Sequence, residues 1–233
     1  RSDKNATSVA TTRDLFDPFR QVEVGAGFSP IVWMRGMETY LDHYVYGCTE
    51  QIVSKALPAL IFQPREQLAA AQSETIRSAI STLAQRQNAQ GGFGMWSANP
   101  VVSPMVSSYA TDFLLEAQER GYPVPRTLLE RAVAYTEYVA NQPSDGIYQM
   151  RERAYAVYLL TRQGKVTTRT LADITAQLNT YHNQDWKTDI TAAYLAASHA
   201  LLKQDDVARK LVAGVPWREL DQQKSHYYGI YYD

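Results

Sequence analysis

The order of hydrophobic and polar positions predicts a chain built mainly from helices. From Arg35 onward, apolar residues recur at spacings of three and four, which is the period of an amphipathic helix. The opening segment differs, because Val22, Val24 and Phe28 alternate with polar or small residues as in a short strand. We predict helices over residues 35–45, 49–62, 74–88, 104–120, 127–141, 149–163, 167–180, 187–202 and 205–213.

Capping and helix-breaking residues support these boundaries. The residues expected at helix N-caps are Ser73, Ser103 and Thr127. Gly121 and Gly164 follow two of the longer helices and are expected to end them. Pro58 lies inside the helix at 49–62, which should therefore kink or restart there.

A weak repeat indicates that the helices are organised as hairpins. Tyr109, Tyr155 and Tyr194 each stand beside small residues and an aliphatic run, at separations of about 40 residues, the length of a helical hairpin. Repeated hairpins of this kind bury their apolar faces only against their neighbours. The periodicity is compatible with an open stack and with a closed ring.

Composition excludes several classes of function. The 233 residues, 45% of them hydrophobic, can bury a real core, and the net charge of −1 makes nucleic acid an unexpected partner. No apolar run is long enough to span a membrane. The four histidines and one cysteine show no metal-ligand spacing, and no nucleotide-binding glycine motif is present, so we expect neither a metal nor a cofactor.

The segment Tyr-Gly-Cys-Thr-Glu-Gln at 46–51 carries the only cysteine. Gly47 allows a sharp entry into a helix that starts at or just after Cys48, so the side chains of Cys48 and Gln51 share one helical face. In a shielded setting these two groups can condense to a thioester with loss of ammonia, and a thioester is an acylating agent. Two other interpretations are a cysteine that only packs as a small hydrophobic residue and a Cys-His hydrolase with His43 as its base.

The residues around this segment resemble a known family. The string "HYVYGCTEQIVSKALPAL" resembles the thioester segment of the alpha-2-macroglobulin and complement superfamily, and the threonine after the cysteine is typical of its bacterial members. Val45 stands where those members usually carry proline. Downstream, "QNAQGGFGMW" and "SPMVSSYATDFLLEAQERGYPVP" resemble the glycine-aromatic loop and the next helix of the same thioester domain.

The resemblance implies an all-α fold, an α/α toroid in which helical hairpins form a ring. Nine predicted helices make four and a half hairpins, so the ring would be incomplete. Residues 1–34 would be a linker and short strand leading from a neighbouring β-sandwich module, and residues 35–233 would be the thioester domain.

The resemblance also implies a function and a set of site residues. Such a protein is a covalent protease trap and not an enzyme: cleavage of a bait region exposes the Cys48–Gln51 thioester, which a lysine amine of the attacking endopeptidase opens. The residues assigned to the motif and to shielding are Tyr44, Tyr46, Gly47, Glu50, Phe93, Met95 and Trp96. His182 is nearest to the position where complement members carry an assisting histidine, and a surface histidine is the alternative. Free N–H groups at the helix start would stabilise negative charge on the attacked carbonyl.

Further implications concern partners and location. The partners would be target endopeptidases, neighbouring macroglobulin-like and β-sandwich domains, and a penicillin-binding protein. The full-length protein would be periplasmic and anchored to the inner membrane as a lipoprotein. The alternative function is a non-reactive helical toroid whose tyrosine-rich surface docks partner domains.

Overall fold

The amphipathic pattern produces a chain of helical hairpins. A computed structural model describes residues 47–62, 70–183 and 185–215. Its helices are α1 (Thr49–Phe62), α2 (Ala70–Arg86), α3 (Pro104–Glu119), α4 (Arg126–Ala140), α5 (Ile147–Arg162), α6 (Thr168–Tyr181), α7 (Ile190–Leu201) and α8 (Asp205–Gly214). A 3₁₀ turn at Asp185–Thr188 joins α6 to α7.

These eight helices confirm the predicted all-α class for the described part of the chain, which contains no strand. A single antiparallel bridge joins Gln87 to Phe93 in the loop after α2. The helix predicted at 35–45, the strand at 22–28 and the domain boundary at 34 lie outside the described residues.

Consecutive helices pair as hairpins, and the hairpins pack side by side. The first helices of the hairpins, α1, α3, α5 and α7, pack successively on one another and form an inner row. The second helices, α2, α4, α6 and α8, pack on their own hairpin partners outside that row, and α4 also packs on α5 of the next hairpin. Two concentric rows of this kind are the arrangement of an α/α toroid, and the described residues provide four of its hairpins.

Of the three predicted helix N-caps, one is confirmed and two are wrong. Ser103 caps α3 as predicted, because its side chain accepts a hydrogen bond from the Val106 N–H. The other two N-cap predictions were wrong. Ser73 lies inside α2, which begins at Ala70, and Thr127 lies inside α4, where Pro125 takes the cap position.

The predicted helix ends are confirmed. Gly121 and Gly164 adopt φ values of 78° and 72°, and the next residue in each case donates a backbone hydrogen bond back into the last turn. Pro58 does not end α1, which runs through it from Thr49 to Phe62. Of the kink or restart predicted there, the restart was wrong and the kink stays a prediction.

Two adjoining clusters of buried side chains form the core. The first lies among α1, α2, α3 and the start of α4, and contains Leu60, Leu83 and Phe113. The second lies among α4, α5, α6 and α7, and contains Met150, Ile174 and Leu195. Because the start of α1 lies at one edge of the first cluster, its position depends on how α2 and α3 pack.

The repeated tyrosines lie on successive helices of the inner row. Tyr109 is on α3, Tyr155 on α5 and Tyr194 on α7, and the last two rings stack with centroids 4.6 Å apart. The Tyr155 hydroxyl donates a 2.7 Å hydrogen bond to Asp112, back on α3. The repeat therefore marks the face through which neighbouring hairpins contact one another.

Candidate thioester site at the start of α1

The start of α1 brings the Cys48 residue and the Gln51 carboxamide together. Cys48 immediately precedes the helix and is a free, buried cysteine with 7% of its surface exposed. The Gln51 side-chain oxygen Oε1 accepts a hydrogen bond from the Cys48 backbone N–H at 3.2 Å. A glutamine at the third helical position that reaches back to the cap residue forms half of a capping box.

Backbone hydrogen bonds hold this turn in place. The Cys48 carbonyl accepts from the Ile52 N–H at 3.0 Å, and the Thr49 N–H donates to the Met95 carbonyl at 2.9 Å. These two bonds engage the peptide group that follows Cys48, and the bond from the Cys48 N–H to Gln51 engages the one that precedes it. Together they fix the direction in which the Cys48 side chain leaves the backbone.

Thr49 anchors the helix start to the glycine-aromatic loop, residues 87–96. Its side chain is completely buried, and its hydroxyl donates a 2.6 Å hydrogen bond to the Gly94 carbonyl. The loop thus approaches the cysteine-glutamine turn through its backbone carbonyls.

Arg86, the last residue of α2, lies beside the same turn. Its Nη1 donates to the Met95 carbonyl at 2.9 Å and to the Thr49 hydroxyl at 3.1 Å, and its Nη2 donates to the Gly47 carbonyl at 2.8 Å. Burial lowers the pKa of the Arg86 guanidinium, and negative charge on Cys48 would raise it. Arg86 is therefore a cation close to the only thiol of the chain.

The three loop residues assigned to shielding have different surroundings. Phe93 is 1% exposed and belongs to the first core cluster, and its N–H donates to the Ser107 hydroxyl at 3.0 Å. Met95 is half-buried, whereas Trp96 is 59% exposed. In the described part of the chain, the Trp96 indole is thus available to a neighbouring surface.

A buried amide shapes the loop from within. Asn88 is 4% exposed, and its Oδ1 accepts hydrogen bonds from the N–H groups of Gln90 and Gly92 at 3.0 and 3.1 Å. Its Nδ2 donates to the Asn99 carbonyl at 3.0 Å. Asn88 therefore connects the loop to the segment that follows it, a role that no sequence pattern indicated.

The remaining motif residues have less defined roles. Glu50 is half-buried, and burial raises the pKa of its carboxyl group. A Cβ built on Gly47 meets no described atom within 4 Å, so no steric contact among these residues requires glycine there. Tyr44, Val45 and Tyr46 lie outside the described residues.

His182 and Cys48 lie on elements that are not main packing partners. His182 caps the C-terminus of α6, which packs mainly on α5, whereas α1 packs on α2 and α3. Its Nε2 lies 2.6 Å from the Asp145 carbonyl oxygen. The structure thus gives His182 a local hydrogen bond at the end of a helix.

The described residues contain neither a helix that could span a membrane nor a metal-binding cluster. None of the described helices is long and apolar enough to cross a membrane. In residues 47–62, 70–183 and 185–215, no group of three or more histidine, cysteine, aspartate or glutamate side chains is arranged to hold a metal ion.

Comparison with known proteins identifies the relatives of this chain. It is 37% identical over 230 residues to an alpha-2-macroglobulin homolog from Yersinia pestis, a match that covers 97% of this chain and 11% of the relative. It is 33% identical to an alpha-2-macroglobulin from Rickettsia conorii, with 89% of this chain and 11% of the relative covered. The chain is alpha-2-macroglobulin-like. It spans about a tenth of the length of these relatives.

Solved structures show the same fold. Salmonella alpha-2-macroglobulin reacted with methylamine matches 77% of this chain and 12% of its own, with a TM-score of 0.65 and 23% identity. Trypsin-activated Escherichia coli alpha-2-macroglobulin matches 73% of this chain and 13% of its own, with a TM-score of 0.60 and 26% identity. No family model matches the chain.

No sequence pattern predicted the contacts that Arg86 and Thr49 make at this site. A basic residue in the last turn of a helix is common, because it complements the helix dipole, so Arg86 carries no distinguishing signal. Thr49 stood inside the recognised motif, but its hydroxyl acquires partners only when the glycine-aromatic loop folds against it.

Proposed function

We propose that this chain is the thioester-bearing domain of a bacterial protease trap. The observation that carries the proposal is the 3.2 Å hydrogen bond from the Cys48 N–H to Gln51 Oε1, at a buried turn that also holds the only thiol. This contact holds the carboxamide next to the residue that bears the nucleophilic sulfur.

The bond would form by attack of the Cys48 thiolate on the Gln51 carbonyl carbon. The electron pair of the carbonyl moves onto Oε1. In the resulting tetrahedral intermediate the nitrogen takes up one proton, equivalent to the one that the thiol lost, and the C–N bond breaks to release ammonia. The Cys48 N–H that faces Oε1 can stabilise this negative charge as one donor of an oxyanion site. The sequence analysis expected such a donor from the helix start, and this N–H supports that expectation.

In the opening reaction a nitrogen nucleophile would attack and the sulfur would leave, the reverse of bond formation. A primary amine, such as a lysine side chain of an endopeptidase, attacks the same carbon and forms an amide with residue 51. The C–S bond breaks, and Cys48 leaves as a thiolate that takes up a proton. Water competes with amines for this carbon, so the buried position of Cys48 favours survival of the bond.

The relatives support a protease-related role for the whole protein. One homologous structure is of a trypsin-activated form and another of a form reacted with methylamine, a small primary amine. We accordingly propose an endopeptidase inhibitor, not an enzyme, in which bait cleavage elsewhere in the full-length protein exposes the Cys48–Gln51 bond to lysine amines.

The shielding and location of the site form part of the same proposal. Tyr44, Tyr46, Met95 and the exposed Trp96 would meet a neighbouring macroglobulin-like or β-sandwich domain, whereas Phe93 supports the loop from the core. The full-length protein would act in the periplasm as an inner-membrane lipoprotein, with a penicillin-binding protein as a further partner. His182 would assist only if the segment around it moved towards α1.

Mass and thiol measurements test the proposal. The intact protein should be lighter than its sequence by one ammonia, and its single cysteine should resist thiol reagents. Methylamine should add its mass at Gln51 and release one thiol. Gln51→Ala should show a titratable thiol throughout, whereas Gln118→Ala, an exposed glutamine on α3, should behave like the wild type.

Peptide mapping separates a spent bond from one that never formed. Hydrolysis of a thioester leaves glutamate at position 51, so glutamate there would record a bond that had formed and been lost. Glutamine at position 51, a titratable thiol and no response to methylamine would sink the proposal and favour the non-reactive docking module.

A further inference from the structure

A chain of two hydrogen bonds connects Arg86 to the Gln51 carbonyl through one peptide group. The Arg86 Nη2 donates to the Gly47 carbonyl oxygen at 2.8 Å, and the Cys48 N–H donates to Gln51 Oε1 at 3.2 Å. The Gly47 C=O and the Cys48 N–H belong to the same peptide bond. The guanidinium and the carboxamide oxygen therefore lie at opposite ends of one polarisable amide.

Polarisation along such a chain strengthens its second hydrogen bond. A cation at a carbonyl oxygen draws electron density from the amide nitrogen, which makes the attached N–H a better donor. An arginine side chain remains charged in proteins, so the effect does not depend on a proton equilibrium near neutral pH. Hydrogen bonds with an ionised partner are also among the stronger ones in proteins.

The rest of the site holds the guanidinium in the required position. Its Nη1 is bonded to the Met95 carbonyl at 2.9 Å and to the Thr49 hydroxyl at 3.1 Å, which leaves Nη2 directed at Gly47. The planar fork of an arginine can satisfy these three acceptors together, and a lysine ammonium cannot match that geometry. The glycine-aromatic loop thereby places the cation at the helix start.

We infer that Arg86 is a positioning residue of the thioester site, which polarises the Cys48 N–H and so assists attack at the Gln51 carbonyl carbon. The chemical part of this inference rests on the proposed function, whereas the hydrogen-bonded chain is present with free Cys48 and Gln51. Both formation and opening of the thioester place negative charge on Oε1. Arg86 therefore accelerates both reactions by the same contact.

A cysteine label provides a direct measurement of the polarised N–H. Because the chain has one cysteine, ¹⁵N-cysteine labelling gives a single backbone amide signal, from Cys48. In the wild-type chain this amide proton should lie downfield and exchange slowly with solvent. Arg86→Gln should move it upfield, Arg86→Lys should give an intermediate position, and Arg77→Gln should leave it unchanged.

Arg77 is a matched control because it lies on the same helix and outside the site. It pairs only weakly with Glu74, at 3.7 Å, and about half of its side chain is exposed. An upfield, rapidly exchanging Cys48 amide in the wild type would overturn the inference regardless of how the variants fold. A wild-type amide position in folded Arg86→Gln would overturn it as well.

Reaction kinetics provide a second measurement. The second-order rate constant for methylamine should fall about tenfold in Arg86→Gln, less than the roughly 10²–10³-fold loss expected when an oxyanion donor itself is removed. Arg86→Lys should recover part of the rate. Failure of folded Arg86→Gln to form the bond, with recovery in Arg86→Lys, supports the inference too. A wild-type rate in Arg86→Gln contradicts it.

The two proposals can fail separately. If no form of the protein ever contains a thioester but the Cys48 amide responds to Arg86 as described, the proposed function fails and the hydrogen-bonded chain stands. If the thioester forms and reacts equally well without Arg86, the proposed function stands and the role of Arg86 is refuted.

Discussion

At the scale of single residues, one hydroxyl connects three parts of the candidate site. The Thr49 side chain donates to the Gly94 carbonyl and accepts from Arg86, although it is completely buried. A buried hydroxyl that has hydrogen-bond partners makes a neutral to favourable contribution to stability. Its removal is costly, because it leaves those partners without a hydrogen bond in a dry environment.

Replacing Thr49 by valine tests this connection. Thr49→Val keeps the volume and removes the hydroxyl, so the free energy of unfolding should fall by about 1–3 kcal/mol, measured by urea denaturation. Thr49→Ser, which keeps the hydroxyl, should retain most of the stability that Thr49→Val loses. Thr82→Val, which removes a hydroxyl bonded only to the preceding turn of α2, should stay within about 0.5 kcal/mol of the wild type. Equal losses for Thr49→Val and Thr82→Val would contradict the assigned contacts.

At the scale of elements, the glycine-aromatic loop acts as a cap for α1. Met95 supplies the carbonyl that accepts the Thr49 N–H, and Gly94 supplies the carbonyl that accepts the Thr49 hydroxyl. Helix starts have N–H groups without intrahelical partners, and here another segment of the chain provides one of the acceptors. The loop conformation therefore determines how the cysteine-glutamine turn is held.

A methyl group at Gly94 should disturb this cap. A Cβ at that position would lie 1.8 Å from the Ser97 carbonyl oxygen, so the loop backbone must shift. We expect Gly94→Ala to lower the free energy of unfolding by about 1–3 kcal/mol and to speed exchange of the Thr49 amide. Gly47→Ala, which meets no described atom within 4 Å, is the matched control. Equal urea midpoints for Gly94→Ala and Gly47→Ala would contradict the close approach of the backbone at Gly94.

At the scale of the whole molecule, buried charges join neighbouring hairpins. Arg151 on α5 and Asp189, which caps α7, form an ion pair whose side chains are each about 10% exposed. Burial alone would raise the pKa of Asp189, but hydrogen bonds from Arg151 and Thr191 outweigh burial and hold that pKa below its ordinary value. The packing of these two hairpins therefore depends on the ionised state of the Asp189 carboxyl group.

The acid stability of the protein should reflect this pair. Because the pKa of Asp189 is lower in the folded state, its stabilisation is complete above the ordinary value of 3.8 and is lost as the pH falls through the folded value. Asp189→Asn keeps an oxygen to cap Thr191 and removes the charge. It should lower the free energy of unfolding at pH 7 by about 3–5 kcal/mol, because it removes the carboxylate that pairs with the buried Arg151 guanidinium.

Urea denaturation over a pH series provides the measurement. Between about pH 5 and pH 2 the stability of Asp189→Asn should fall less than that of the wild type. Asp206→Asn breaks an exposed pair with Arg209 and should change stability by no more than about 1 kcal/mol. Parallel pH profiles for Asp189→Asn and the wild type would show that this carboxylate does not link folding to pH.

Much of the architecture could be predicted from sequence because it depends on local rules. The apolar period located each of the eight described helices, and Ser103, Gly121 and Gly164 act at helix ends through their own backbone and side-chain chemistry. The errors occurred where a start or a break is decided by packing. Ser73 has the chemistry of a cap but lies inside α2, and α1 does not restart at Pro58.

The candidate site was likewise predictable from sequence only where local rules apply. Sequence by itself determined that Cys48 and Gln51 stand one helical turn apart, because that relation follows from the helix repeat and from three intervening peptide bonds. Only the tertiary structure decided that Arg86 and the glycine-aromatic loop meet this turn. Arg86 lies 38 positions along the chain from Cys48. The physical reason is that a hydrogen bond between distant segments depends on how α1, α2 and the loop pack together, and no local sequence pattern specifies that arrangement.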